Sequence, residues 1–145
     1  MGFLKDIASI AGEAVRMHRT EKQANNIDPQ TKQMVDNARK DAENGSVKAM
    51  VWLANAYYYG KVVGYDPELM RYWMTKAAER GNVNSQYNLG LLYKGDMDTK
   101  YISVDFAKAG YWLSIAARNG DKEAERILRE SFAYNKRTEK WYEKY

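Results

Sequence analysis

Residues 73–81 read WMTKAAERG, and residues 112–120 read WLSIAARNG. In both copies a tryptophan precedes two alanines by about a helical turn, and a glycine follows three residues after them. Every member of the pair is displaced by the same 39 residues, so the two stretches share one register. A self-similar period of this length is typical of stacked helical hairpins. The repeat therefore predicts an all-α fold, an α/α superhelix (solenoid), in which both tryptophans are buried.

A second pattern marks the first helix of each hairpin: a leucine, a small residue beside it, and an aromatic residue four positions after the leucine. The matching positions are Ala49, Leu53, Ala54 and Tyr57, then Ser85, Leu89, Gly90 and Tyr93, then Ala124, Leu128, Arg129 and Phe132. We expect these positions to form a buried stripe, with the small residue allowing close approach of a neighbouring helix. Because Arg129 is not small, the third copy is predicted to be terminal and half exposed.

Capping residues set the predicted helix boundaries. Asp28-Pro29 opens a helix that runs to about residue 44 and stops at Gly45, and Gly60 closes the next helix. Asp66-Pro67 and Asp105 open the second helices of the two full repeats, since a carboxylate accepts from unpaired first-turn amides.

Two terminal segments lie outside the repeats. Residues 3–19 are predicted to form an amphipathic helix that caps the first hairpin, with a membrane-surface helix or a dimer or partner contact as alternatives. Residues 133–145 form a charged and aromatic tail, and its aromatic residues favour a short final helix. These aromatic residues are Trp141, Tyr142 and Tyr145.

The repeated positions resemble the Sel-one-like repeat, a relative of the tetratricopeptide repeat that folds as an α/α superhelix. The family pattern is met by Ala49, Leu53, Tyr57, Gly60, Asp66, Trp73, Ala77, Ala78 and Gly81, and again by Leu89, Gly90, Tyr93, Asp105, Ala109, Trp112, Ala116, Ala117 and Gly120. The resemblance covers residues 38–132, with about two full repeats and a half-repeat on each side. The chain departs from the family pattern at three positions. Ala54 replaces the glycine, Ser85 replaces the first alanine, and Met70 replaces the alanine near the tryptophan. The expected organisation is a single domain over residues 1–145 with terminal helices.

The resemblance implies a non-enzymatic protein–protein interaction scaffold or adaptor that binds a protein or peptide partner. The family also includes regulators and, in bacteria, proteins paired with secreted toxins, so an immunity-type or regulatory inhibitor is the alternative. Peripheral membrane tethering through residues 3–19 is compatible with either. The chain has no cysteine and so cannot belong to the disulfide-stapled secreted forms.

No residue pattern indicates catalysis or a cofactor. His18 is the only histidine, and the sequence contains none of the common catalytic or nucleotide-binding motifs. Asp96 and Asp98 lack the glycine and terminal glutamate of a calcium loop. We therefore predict no enzyme activity, no metal and no cofactor.

Charge and hydropathy indicate which kinds of partner and which cellular compartment to expect. The net charge is +4, and residues 46–95 carry six basic against three acidic side chains, which is too dispersed for a nucleic-acid binder. No apolar run reaches the roughly 18–20 residues that cross a bilayer, and charges interrupt the N-terminus where a signal peptide would be apolar. The expectation is a cytoplasmic monomer or weak homodimer, without nucleic acid or integral membrane association.

The run Tyr57-Tyr58-Tyr59 points to the candidate binding surface. Tyr57 belongs to the core stripe, so Tyr58 must point elsewhere, because consecutive helical residues diverge by about 100°. By the resemblance, the first helices line a concave groove. Its predicted residues are Lys48, Val51, Asn55 and Tyr58, then Asn84, Tyr87, Leu91 and Lys94, then Glu123, Arg126 and Glu130. The alternative is that these tyrosines are merely exposed or pack between repeats.

Overall fold

A computed structural model describes residues 27–97 and 102–144. Within these ranges the elements are α1 (Pro29–Glu43), α2 (Val47–Tyr59), α3 (Pro67–Glu79), α4 (Val83–Lys94), α5 (Phe106–Arg118), α6 (Lys122–Ser131), β1 (Phe132–Asn135) and β2 (Lys140–Glu143). The predicted helical hairpins and their boundaries are confirmed. The helix expected at residues 3–19, together with His18, Asp98 and Tyr145, lies outside the described residues.

Contacts divide the chain into two compact units, Met1–Met70 and Arg71–Tyr145. The first unit contains α1, α2 and the start of α3, and the second contains the rest of α3 and all later elements. The expectation of a single domain over residues 1–145 stays a prediction.

Consecutive hairpins are joined by a turn that occurs in the same form at three places. Gly45, Gly81 and Gly120 adopt left-handed backbone conformations, with φ of 98°, 89° and 98°. The amide after each glycine donates to a carbonyl five residues earlier, closing the helix with a Schellman-type bond. These bonds are Ser46 to Asp41 (2.9 Å), Asn82 to Ala77 (3.1 Å) and Asp121 to Ala116 (3.0 Å).

The residue after each of these glycines caps the next helix. Its side-chain oxygen accepts a hydrogen bond from an amide N–H in the first turn. The three donor–acceptor pairs are Ala49 to Ser46, Ser85 to Asn82 and Ala124 to Asp121. One helix therefore ends and the next begins within three residues, which fixes where each new hairpin starts.

The loop inside each hairpin is closed by the aspartates that the sequence identified. The Asp66 amide donates to the Tyr57 carbonyl at 3.1 Å, and the Asp105 amide donates to the Tyr93 carbonyl at 2.8 Å. The Asp66 side chain then accepts from the amides of Glu68 and Leu69, and Asp105 accepts from Lys108. The longer second loop is thus closed by the same backbone bond as the shorter first loop.

The core stripe is buried as predicted. In the first unit, Tyr57 is fully buried and its hydroxyl accepts from Arg39 Nη2 at 2.9 Å. In the second unit, Tyr93 is buried and accepts from Arg71 Nη1 at 3.4 Å. An arginine on the preceding helix therefore supplies the partner that each tyrosine hydroxyl needs, a pairing the repeat pattern did not indicate.

The third copy of the stripe is partly open, as the arginine in it predicted. Ala124 and Phe132 are buried, Leu128 is half-buried, and Arg129 is exposed. This copy ends the helical part of the chain within the described residues.

The two repeat tryptophans differ in burial, so the prediction that both are buried is wrong for one of them. Trp73 is 2% exposed, whereas Trp112 is half-buried. The physical reason is the number of elements that come after each tryptophan-bearing helix. A further helix pair, α4 and α5, succeeds the helix that carries Trp73, but only α6 and a strand pair succeed α5.

The predicted final helix is also wrong, because the tail forms an antiparallel β-hairpin. Strand β1 pairs with β2 in the register Phe132↔Glu143, Ala133↔Tyr142, Tyr134↔Trp141 and Asn135↔Lys140. The Asn135 side chain accepts from the amides of Arg137 and Thr138, which stabilises a turn. Glu139 completes the turn with φ of 54°. Aromatic cross-strand pairing favours strands over a helix here.

The β-hairpin packs on α5 at a glycine. A Cβ built on Gly110 would lie 2.2 Å from the Cβ of Trp141, so only glycine admits this contact. The Lys144 amide also donates to the Ser131 carbonyl at 2.9 Å, which ties the chain end to α6. The tail is therefore part of the second unit.

The difference in tryptophan burial predicts unequal stability losses. We expect Trp73→Ala to lower the free energy of unfolding by about 3–5 kcal/mol, because it removes a large buried ring. Trp112→Ala should cost less than about 2 kcal/mol, because its ring already contacts solvent. Chemical denaturation of both variants is the measurement, and equal losses would contradict the assigned burial.

The contact at Gly110 predicts that replacing this glycine by alanine changes the stability in the direction opposite to that expected from helix propensity. Glycine to alanine inside a helix normally stabilises by about 1 kcal/mol, but Gly110→Ala should destabilise, since the added methyl group displaces Trp141. In a chain that stops after Ala133 the same substitution should become stabilising. Denaturation curves of the four proteins test this, and stabilisation of the full chain by Gly110→Ala would rule out the contact.

Candidate functional site

The outward face of α2 carries the first part of the predicted binding surface. Lys48, Val51, Asn55 and Tyr58 recur at steps of three and four residues, so they follow one side of the helix. Lys48 and Asn55 are exposed, whereas Val51 and Tyr58 are half-buried. The first unit thus presents an amide and a phenol on an accessible helix face.

A cavity of about 320 Å³ lies beside this face. Its lining consists of Trp52, Asn55, Ala56, Tyr59, Lys61 and Val62. Tyr59 is 66% exposed, and its ring meets the Tyr58 ring edge-on at 5.0 Å between centroids. Sequence reasoning included only Asn55 from this lining. The other lining residues of α2 could have been found from helical periodicity, because residues 52, 55, 56 and 59 are spaced by three, one and three and so share one face of the helix.

The outward face of α4 carries the second part of the predicted surface. Asn84 is exposed, and Tyr87, Leu91 and Lys94 are half-buried. Lys94 Nζ forms an ion pair with the Asp96 carboxylate at 2.8 Å. The lysine therefore does not present an unpaired cation to a partner.

Arg126 on α6 is neutralised in the same way. Its guanidinium donates to the carboxylates of Glu123 and Glu130. The bond from Arg126 lowers the pKa of Glu123 below its ordinary value, and the two carboxylates raise the pKa of Arg126. The predicted cationic contact at Arg126 is thus an intrahelical network with a net negative charge.

Electrostatics link the faces of α4 and α6. Burial raises the pKa of Tyr87 above the ordinary tyrosine value, and the negative charges of Glu123 and Asp121 raise it further. Arg126 acts in the opposite direction. Charges on α6 and at its N-cap, Asp121, therefore act on a phenol of α4 within the second unit.

A buried glutamine holds α4 in place below this surface. Gln86 is 2% exposed, and its Nε2 donates to the Ala78 carbonyl at 3.0 Å. Asn119 Nδ2 in turn donates to Gln86 Oε1 at 2.9 Å. This side chain connects the end of α3 to the end of α5, and a sequence pattern alone could not distinguish it from an exposed glutamine.

The predicted residues thus group into one set on α2 and another on α4 and α6, each within its own unit. Their assembly into one concave groove across both units stays a prediction.

The chemistry of these faces is that of neutral hydrogen bonding. Asn55, Asn84, Tyr58 and Tyr87 can each donate and accept. Among the described residues, no group of three histidine, cysteine, aspartate or glutamate side chains could hold a metal ion. Within the same residues, none of the helices has the length and apolar character required to span a bilayer.

The repeats identify the family. The model of the Sel1 repeat matches residues 47–82 and 83–121, which is more than half of the chain, and the chain therefore belongs to the Sel1 repeat family. Its fold is accordingly an all-α solenoid type built from helix pairs. Sel1 repeats are generally protein–protein interaction modules and non-catalytic scaffolds.

Two solved structures are similar to this chain. A protective antigen of uropathogenic Escherichia coli strains that displays an SLR fold is 30% identical, with a TM-score of 0.58, over 65% of this chain and 20% of that chain. A Sel1 repeat protein from Oxalobacter formigenes is 27% identical, with a TM-score of 0.55, over 62% of this chain and 36% of that chain. The chain thus matches only a minor part of either relative. A comparison with curated protein sequences yields no match.

The link between α4 and α6 predicts a specific pKa change. Glu123→Gln removes a negative charge near Tyr87 and frees Arg126 from one partner, and both effects favour the phenolate. The pKa of Tyr87 should therefore fall towards its ordinary value, while burial keeps it raised. NMR titration of carbon-labelled tyrosine measures this. Glu125→Gln is the matched control on the same helix, and an equal shift in that variant would contradict the assigned geometry.

Proposed function

We propose that this chain is a non-enzymatic adaptor that binds a peptide or an exposed segment of a partner protein through the outward faces of α2 and α4. One observation carries the proposal. An accessible asparagine is followed three residues later by a tyrosine on both helices, as Asn55 and Tyr58 on α2 and as Asn84 and Tyr87 on α4.

Asparagine and tyrosine together suit recognition of an extended peptide. An asparagine amide can donate to a peptide carbonyl and accept from a peptide N–H. A tyrosine ring supplies a large contact area at a low cost in conformational entropy, because it has only two side-chain torsions. Each pair can therefore bind backbone through the amide and an apolar side chain through the ring.

The cavity beside α2 supplies a receptor for one partner side chain. Trp52 and Tyr59 contribute aromatic wall, and Asn55 lies on both the cavity and the outward face. An apolar side chain bound there would be covered by rings, which is the setting in which interface residues contribute most to affinity.

Charge plays a small part in the proposed contact. Lys94 and Arg126 are each held by carboxylates on the same unit, so partner charges would have to compete with existing ion pairs. Hydrogen bonds and shape would then decide specificity, and the affinity should depend only weakly on salt.

We further propose a cytoplasmic location and a monomer or weak homodimer.

The test is a double substitution on α2. Asn55→Ala with Tyr58→Ala should abolish capture of partners from the native source, because both the amide and the ring are lost. The free energy of unfolding should change by about 1 kcal/mol or less, since Asn55 is exposed and Tyr58 is only half-buried. Pull-down and thermal denaturation of the same preparations are the measurements.

A matched double substitution on α1 controls for surface changes in general. Gln33→Ala with Met34→Ala also removes one exposed amide and one exposed apolar side chain from the first unit, and it should leave capture intact. Capture that survives the α2 change, or that is lost equally in the control, would refute binding through α2.

A further inference from the structure

A groove of about 580 Å³ runs between α5 and the C-terminal β-hairpin, within the second unit. Its helical wall is formed by Ala107, Tyr111, Ser114 and Arg118, whose spacing of four, three and four residues follows one side of α5. These residues span about 16 Å along the helix, at about 1.5 Å per residue. An extended chain of about five residues has this length.

The β-hairpin forms the opposite wall, and its aromatic part is held in place. Trp141 is seated against Gly110, and its ring packs against Tyr134 with 5.2 Å between centroids. Tyr134 is 47% exposed, and Tyr111 across the groove is 53% exposed. Two accessible phenols therefore face a groove whose floor is fixed by the tryptophan contact.

The charge of this region is strongly positive. Helix α5 and residues 132–144 contain six basic and two acidic side chains, so they carry a net charge equal to the +4 of the whole chain. Arg118 and Lys140 line the groove itself. Neither forms an ion pair with any residue in the described ranges, in contrast to Lys94 and Arg126.

We infer that the groove between α5 and the β-hairpin is a second binding site, which takes an extended acidic peptide segment with apolar side chains. Partner carboxylates would pair with Arg118 and Lys140, and an apolar side chain would lie between Tyr111 and Tyr134. Glu139 also lines the groove and offers an acceptor for a peptide N–H. A nucleic acid carries a phosphate at every nucleotide, whereas a peptide with alternating acidic residues can place an uncharged backbone N–H beside Glu139, which is why a peptide fits better.

This site goes beyond the proposed contact of α2 and α4. It lies on the second helix of a repeat and on a β-hairpin outside the matched repeats, and it shares no residue with the faces of α2 and α4. A partner could therefore occupy either surface independently.

The experiment measures fluorescence anisotropy with defined peptides on the full chain. The probe is a short fluorescein-labelled peptide in which glutamate and leucine alternate, and the comparison peptides replace glutamate by glutamine or by lysine. We expect the acidic peptide to bind at least tenfold more tightly than either comparison peptide. Arg118→Glu with Lys140→Glu should weaken its binding at least tenfold, and Tyr111→Ser should weaken it at least threefold.

Two matched control variants distinguish binding at this groove from a non-specific effect of net charge and from binding at the face of α2. Lys32→Glu with Lys40→Glu changes the net charge equally on exposed positions of α1 and should alter binding less than twofold. Asn55→Ala with Tyr58→Ala should have no effect on this peptide.

Three outcomes would overturn the inference. They are an acidic peptide that fails to bind at millimolar concentration, an equal loss in the α1 control, and tighter binding of a labelled oligothymidylate that depends on Arg118 and Lys140. Circular dichroism of each variant confirms that the exposed substitutions leave the fold intact.

Discussion

The turn between successive hairpins is the constraint on which the helical part of the chain depends. Gly45, Gly81 and Gly120 each place one residue in the left-handed region, where other residues lose about 1 kcal/mol or more. A Cβ built on any of them would meet nothing within 4 Å, so the requirement is conformational and not one of space. Since a cap comes directly after the glycine, the turn also fixes where the next helix begins.

Two other glycines serve close packing instead. A Cβ on Gly90 would lie 2.5 Å from Leu113 Cγ, and a Cβ on Gly110 would lie 2.2 Å from Trp141 Cβ. At Gly90 the benefit is close contact between α4 and α5. At Gly110 it is a platform for the β-hairpin, so one substitution from small to large would disturb the end of the second unit without affecting any turn.

Pairing of surface charges separates two kinds of surface on the second unit. On the faces of α4 and α6, Lys94 and Arg126 are held by neighbouring carboxylates, which leaves hydrogen bonding to amides and phenols. Along α5 and the β-hairpin, the basic side chains exceed the acidic ones and two of them line a groove. These properties suit different ligands, a neutral backbone in the first case and an acidic segment in the second.

Local rules determined the helix pairs, their caps and the buried stripe, because each depends on residues close in sequence. Capping chemistry identified Asp66, Asp105, Gly45 and Gly60 as boundary residues, and the structure confirms all four. The faces of α2 and α4 also derive from helical periodicity once the buried stripe is known. Their accessibility was therefore predictable, although their joint use remains a proposal.

Tertiary structure decided what local rules could not. Trp73 and Trp112 occupy the same repeat position, yet only the first is fully buried, because burial depends on which elements come after the repeat. Residues 133–143 lie outside the repeats, and their aromatic residues form strands through cross-strand pairing and contact with α5. The groove at Arg118 and Lys140 exists only because that β-hairpin packs on Gly110, and such a contact between residues far apart in the chain cannot be predicted from sequence spacing.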